Sequence, residues 1–457
     1  MNPNPSPGFA TPLSTSSGGY VAGRRWGYPG IPQEDGVKRQ LIAAVGVAAM
    51  VVGVAACGSS AKKDNNAGGP ADYNGKTLTV WLMTGSAPQA WQDGITADFE
   101  SQYPGAKINF QTQKWDGIGQ KITTALSEGS VDVLEVGNTQ TANYAASGGL
   151  LDLTSIKADL GGNDWAANLN TSAVLDGKQY AAPWYFANRE VIYNKQLWTK
   201  AGISGTPKTL DEYYADLDKL KAAGVQDPIY LPGEEWYTFF GLLASNGGQI
   251  VKQDGSKWVG NLDSPEAKDA FATYQKLQGY STAPKDKDEA TPQQSTLFPK
   301  GTIGSMIGLG WEAPAPKDMP ADQVGYFALP GKTADKPSSV FLGGSNLAIA
   351  QASKNQDLAK GFLKLAMSDK YEGQMAAAGD IPNKTSLNSL ATTDAAKVEL
   401  QAAANGSTPP SIPTWGNVEN EPNPIKDFLA AVLQGHDYDS NAKKYDDEIT
   451  KRLGQSQ

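Results

Sequence analysis

An α/β protein of two domains is the fold class this chain predicts, on three observations. The folded part opens with β-rich segments alternating with amphipathic ones, and later segments repeat the same start and stop signals. Some ~385 residues remain after the N-terminal signals, more than one hydrophobic core usually serves.

The first strand is read at 77–83, Thr-Leu-Thr-Val-Trp-Leu-Met, a β-rich run. Residues 87–102 place Trp91, Ile95 and Phe99 on one helical face, and Tyr103-Pro104-Gly105 stops that helix. Alternation at 108–113 gives a second strand, 118–126 a second helix and 131–136 a third strand. Such β-α-β-α-β order predicts a mostly parallel sheet covered by helices. Thr209 and Glu212 have capping-box spacing ahead of a helix carrying Leu217 and Leu220 and closed by Gly224. Ser264-Pro265 reads as an N-cap with proline in the first turn, and 425–433 and 442–453 read as closing helices. No internal repeat is evident.

The N-terminal region has a different grammar. Lys38-Arg39 precedes an uncharged stretch, 41–56, that ends Val54-Ala55-Ala56 before Cys57, the only cysteine. Sixteen residues fall short of the ~20 needed to span a bilayer, so a cleaved leader is expected rather than a membrane anchor. The run resembles the bacterial lipoprotein box, which implies that Cys57 becomes the acylated first residue. Residues 1–36 are rich in Pro, Gly and Ser and are expected to be a disordered extension. Translation from Val37 would give a compact leader at 37–56, and a codon there unable to initiate would refute that start. Residues 57–72 read as the lipidated cysteine and a flexible tether.

Composition narrows the function. The formal charge of −9 becomes −11 without the first 56 residues, which disfavours a nucleic-acid partner. A lone histidine, His436 in a Gln-Gly-His-Asp-Tyr turn, supplies neither a zinc ligand set nor a serine–histidine pair, and no metal or cofactor is expected. Tryptophan is abundant, at 11 residues, a supply of flat apolar surface beyond ordinary core needs.

Several segments, in order, resemble the solute-binding proteins of ABC importers that include the maltose-binding protein. They are Asn143-Tyr-Ala-Ala-Ser-Gly-Gly-Leu-Leu-Asp-Leu153, Gly177-Lys-Gln-Tyr-Ala-Ala-Pro183 with Val191-Ile-Tyr-Asn-Lys195, Phe298-Pro-Lys-Gly301 with Gly310-Trp311, and Gly343-Gly-Ser-Asn-Leu-Ala-Ile349 with the helix at 353–367. The resemblance spans about 76–452 and is nearest to actinobacterial oligosaccharide binders. It implies a periplasmic-binding-protein type II-like fold, with two discontinuous α/β domains closing by a hinge on an interdomain ligand cleft. The domains are expected at 73–186 with 342–390, and 187–341 with 391–457.

Sugars offer weakly apolar ring faces and a rim of hydroxyls, so their receptors need aromatic plates beside amides and carboxylates. Trp81 ends the first strand and Trp115 follows the second, at strand ends where ligands of open α/β sheets sit. Asn138 and Gln140 follow the third, where the maltose binder presents charged groups. Trp184, Asn188 and Arg189 lie in the segment expected to join the domains, where Ala187 replaces a family glutamate. Trp236 with Tyr237, and Trp311 with Glu312, align with family platforms; Gly344 and Ser345 offer backbone close to ligand; Trp415 lies in a C-terminal loop.

The function implied is a non-enzymatic, lipid-anchored, monomeric receptor on the outer face of the cell membrane. It captures a sugar, such as chitobiose or a glucoside, for an ABC permease with a cytoplasmic ATPase. A secreted glycoside hydrolase using Glu234, Glu235 and Glu312 is the rival of another class, although nothing in the sequence pairs those carboxyls across a cleft. A polyol, glycerol-phosphate or peptide cargo is the other alternative; a phosphate would want more cations than Arg189 alone.

Overall fold

The computed structural model of the chain describes residues 72–455, with the exception of Asp116. The extension at 1–36, the leader at 37–56, Cys57 and the tether as far as residue 71 lie outside the described residues.

The opening folds as its periodicity dictates. Strand Thr77–Met83 runs parallel to Lys107–Gln113 in full register, from Thr77 opposite Lys107 to Met83 opposite Gln113, and parallel to Val133–Gly137 on its other side. Helices Gln89–Gln102 and Ile118–Glu128 connect them, and the first buries Trp91, Ile95 and Phe99. Their spacing puts all three on one face.

Beyond this unit the sheet departs from expectation. Gly343–Ile349 lies antiparallel beside Val133–Gly137, Ala181–Ala187 antiparallel beside that, and Ile381–Pro382 antiparallel at the edge. The six-stranded sheet is therefore mixed rather than mostly parallel. The physical reason is the route of the chain: parallel neighbours need a crossover helix within one sheet, whereas these strands leave for, and return from, a second sheet.

That second sheet has Glu190–Asn194 at its centre, antiparallel to Ser305–Gly308 and to Val324–Phe327. Helices surround it with the expected punctuation. Thr209 Oγ1 accepts from the Glu212 amide at 3.2 Å, but the Glu212 carboxylate turns to the Lys208 amide at 2.6 Å, so only half of the capping box forms. Ser264 Oγ accepts from the Ala267 amide at 3.2 Å ahead of helix Pro265–Gln278. Helices Pro424–Leu433 and Tyr438–Leu453 close the chain.

Each sheet has its own core. On the large sheet, Trp91, Phe99, Phe362 and Tyr371 pack with Trp184, whose ring centroid lies 5.5 Å from that of Trp91. On the small one, Trp198, Tyr213, Trp236, Phe239, Trp415 and Phe428 form a separate cluster. The passage between sheets is short: strand Ala181–Ala187 ends two residues before Glu190–Asn194 begins, leaving only Asn188 and Arg189 between them.

The strand directions have one consequence that positions the site. Met83, Gln113, Gly137 and Ala187 end their strands, and Gly343 and Ile381 begin theirs, all at the same edge of the large sheet. This is also the edge at which the chain crosses to the second sheet.

Because Trp184 fills the core against Trp91, Trp184→Ala is expected to cost about 3–5 kcal/mol of folding stability. Urea unfolding checks this; a loss below about 1 kcal/mol contradicts the core assignment.

Candidate functional site

Open α/β sheets bind ligands outside the carboxyl ends of their parallel strands, and here that edge is lined by strand ends and by both residues of the crossing. Two tryptophans stand out from it. Trp115, in the loop after the second strand, is 46 % exposed, and its ring lies beside Gly137. Trp311, on the Gly310–Glu312 turn of the other domain, is 69 % exposed. They are the only tryptophans among the exposed large hydrophobic side chains of the described residues.

The turn after the third strand spans the two domains. Thr139 Oγ1 and Gln140 Nε2 donate to Glu419 Oε2 at 2.6 and 2.8 Å, and Trp415 Nε1 donates to the same oxygen at 2.7 Å. Burial raises the Glu419 pKa, and these three donors pull against that. The short helix Gly416–Glu419 approaches closely enough that a Cβ on Gly416 would meet Gln140 Oε1 at 2.8 Å. Gln140 Oε1 is itself buried without a hydrogen-bond partner. Asn138 is buried, donating through Nδ2 to the Leu342 carbonyl at 2.9 Å, so it braces the returning strand.

At the crossing, Asn188 Nδ2 donates to the Glu399 carbonyl at 3.0 Å while its Oδ1 is buried and unpartnered. Arg189 Nε lies 2.7 Å from Glu235 Oε1, its Nη2 lies 2.6 Å from Glu289 Oε1, and the guanidinium sits 4.1 Å over the Tyr237 ring centroid. Glu289 Oε2 is buried with no hydrogen-bond partner. Glu312, below Trp311, accepts from Gln293 Nε2, Gln294 Nε2 and the Leu309 amide at 3.0, 3.0 and 2.9 Å.

A buried carboxyl underlies the edge. Glu135 accepts from the Met83 amide (2.7 Å), Ser86 Oγ (2.8 Å), Tyr185 OH (2.8 Å) and Ser345 Oγ (2.7 Å). Burial nonetheless raises its pKa. Ser345 is thus engaged inside the protein. Gly344 sits at φ +145, and a Cβ there would lie 2.3 Å from the Tyr185 carbonyl oxygen, so strand packing requires glycine at this position.

Four expected aromatic plates are corrected to core positions. Trp81 is 6 % exposed, with Nε1 donating to Gln111 Oε1 at 2.9 Å. Trp184, Trp236 and Trp415 are 1 %, 1 % and 0 % exposed, and no ring face is open to ligand. Strands and helices turn these side chains onto their own sheets, and only residues beyond the strand ends reach the edge. The residues at this edge that sequence reasoning missed are Thr139, Glu289 and Glu419, with Glu135 behind them. Glu135 did carry a signal, as the one charge in the apolar strand Val133–Gly137.

Residues 84–373 match the family model of the bacterial extracellular solute-binding proteins. The chain belongs to that family. Over 427 residues, 92 % of this chain and all of the relative, it is 54 % identical to DasA of Streptomyces coelicolor, a diacetylchitobiose-binding protein. It is 24 % identical over 321 residues, 66 % of this chain and 71 % of the relative, to a mannitol-binding protein of Pseudomonas aeruginosa. Among solved structures, the GacH receptor of Streptomyces glaucescens superposes with a TM-score of 0.71 at 24 % identity, covering 84 % of this chain and 99 % of that one. The sugar-binding protein MalE of Xanthomonas citri does so at 0.69 and 21 %, covering 83 % and 97 %. The fold is that of a two-domain, type II solute-binding protein.

Behind the crossing, Asn383 Nδ2 donates to the Pro183 carbonyl at 2.5 Å and to Glu372 Oε1 at 3.3 Å. Burial pushes Glu372 up to about 8. Since the folded state keeps this proton longer than the unfolded chain, its contribution is full below about pH 4.5 and is lost as pH rises towards 8. Urea midpoints are therefore expected to fall between pH 5 and pH 8 in the native protein and to fall less in Glu372→Gln. An equal fall in both contradicts the assignment.

Proposed function

We propose that this protein is the lipid-anchored receptor of an ABC importer, and that it captures a β-linked N-acetylglucosamine disaccharide, diacetylchitobiose first, outside the cell. The 54 % identity to DasA along the whole relative is the observation that carries this reading. The site agrees with it in kind: two exposed tryptophans, Trp115 and Trp311, supply ring plates, and Gln140, Arg189, Glu289 and Glu312 supply polar groups.

In this reading the protein acts as a monomer, Cys57 is acylated and holds it at the membrane, and a permease with a cytoplasmic ATPase receives the cargo. The domains comprise 73–186 with 342–390, and 187–341 with 391–457, a division supported by the separate large clusters around Trp91 and around Trp198 and by the two-residue crossing. The protein performs no hydrolysis. Glu235 is taken up by Arg189 and Glu312 by two glutamines, which leaves neither poised as a free acid or nucleophile.

Micromolar binding corresponds to about −8 kcal/mol, and ligand at 100 times its dissociation constant adds about 2.7 kcal/mol of stability. A thermal-shift panel of mono- to tetrasaccharides of glucose and N-acetylglucosamine, with mannitol, is expected to give its largest shift with diacetylchitobiose. Trp311→Ala is expected to weaken that binding at least about tenfold, ~1.4 kcal/mol, while leaving the unliganded melting temperature unchanged. A shift with mannitol alone, or none with any sugar, contradicts the proposed cargo.

A further inference from the structure

We infer that the carboxylate of Asp380 is a ligand contact, accepting a hydrogen bond from a hydroxyl or amide N–H of the bound sugar. This rests on the proposed sugar cargo and adds a residue that neither the motif alignment nor the relatives point to.

The position follows from register. Ile381 pairs with Phe186 and Pro382 with Tyr185, so Asp380 stands across from the end of strand Ala181–Ala187, where the chain passes into Asn188 and Arg189. It is thereby the contribution of the sixth strand to the edge on which four others end and Gly343–Ile349 begins. Its amide is used, donating to the Met375 carbonyl at 3.2 Å, but its half-buried carboxylate has no hydrogen-bond or ion-pair partner among the described residues.

The groups facing it are all acidic or neutral. Glu135 and Tyr185 lie on the first-domain side. On the other side, Glu399 of helix Asp394–Ala403 feels Asp380, and that carboxyl accepts from the Gly310 amide at 2.8 Å, one residue before Trp311. Glu190, with both carboxyl oxygens buried and unpartnered, lies behind Glu399. The nearest lysine in sequence, Lys384, is committed to Asp369 at 2.7 Å. An unpaired carboxyl in such surroundings is costly, and a purely structural position would be served as well by asparagine. A polar ligand group between Trp311 and the sheet edge would take the place of water as its donor. Burial, with Glu135 adding, raises Asp380 to about 7, so contact with its ionised form makes affinity depend on pH near neutrality.

The test is calorimetric titration of diacetylchitobiose into the mature protein at pH 6, 7 and 8. For a group titrating near 7, the ionised fraction rises from about a tenth at pH 6 to about nine tenths at pH 8, so native-protein affinity should rise about tenfold. Binding at pH 7 should release about half a proton, read from heats in buffers of different ionisation enthalpy. Asp380→Asn should bind more weakly than the native protein at pH 8 and lose both the pH dependence and the proton release. A pH-independent native affinity without proton release overturns the inference, and so does an unchanged profile in Asp380→Asn. Binding of mannitol but not of the sugar overturns the cargo, and an unaltered mannitol affinity in Asp380→Asn then overturns the contact as well. Binding of neither overturns both.

Discussion

The structure depends on a single guanidinium held where the chain leaves one sheet for the other. Arg189 is gripped by Glu235 and Glu289 and covered by Tyr237, all from the second domain, while Asn188 beside it is tied to the Glu399 carbonyl. A charge this deep is tolerable only when paired, and two carboxylates stand against it. The crossing is therefore held by side chains on one side and by strand pairing of Tyr185 and Phe186 on the other. With only two residues between strands, small backbone rotations there translate into large displacements at the tips of the domains.

The same constraint explains why the site lies where it does. The strand that exits at the carboxyl edge runs in the direction of the opening βαβ unit, whereas the strands that return there, Gly343–Ile349 and Ile381–Pro382, run against it, which makes the sheet mixed and gathers six strand termini on one edge. Glu419 then reaches from the second domain to Thr139 and Gln140. Those bonds join the two sides near the middle of the edge, while Trp115 and Trp311 remain exposed. Such polar contacts are of modest strength in water, and a ligand that touches both sides of them at once would add to them.

How much of this was legible depends on the range of the interactions concerned. The opening β-α-β-α-β unit and the caps at Thr209 and Ser264 were readable because they rest on neighbours within a few residues. Chain length carried the expectation of two domains, and family motifs carried their discontinuity and the crossing between them. Strand direction beyond the third strand was not readable, since Gly343–Ile349 pairs with partners more than 150 residues away. Among the tryptophans, sequence neighbourhood misled. Trp184 sits in an aromatic run next to the crossing, yet pleat alternation turns it onto Trp91. Trp115 and Trp311 lie past the ends of regular elements, and loops deliver side chains outward. Asp380 had no local signal, because its importance derives from the pairing of Ile381 with Phe186.

A receptor of this kind gains affinity from apolar ring burial and from polar groups already oriented before ligand arrives. We propose that the carboxyl edge of the large sheet, flanked by Trp115 and Trp311, holds the sugar. A crystal structure of the protein with diacetylchitobiose tests it most directly. Pyranose rings are expected against Trp115 and Trp311, with their polar groups directed at the strand ends and the crossing. Sugar bound away from that edge, with both tryptophans still open to solvent, would contradict it.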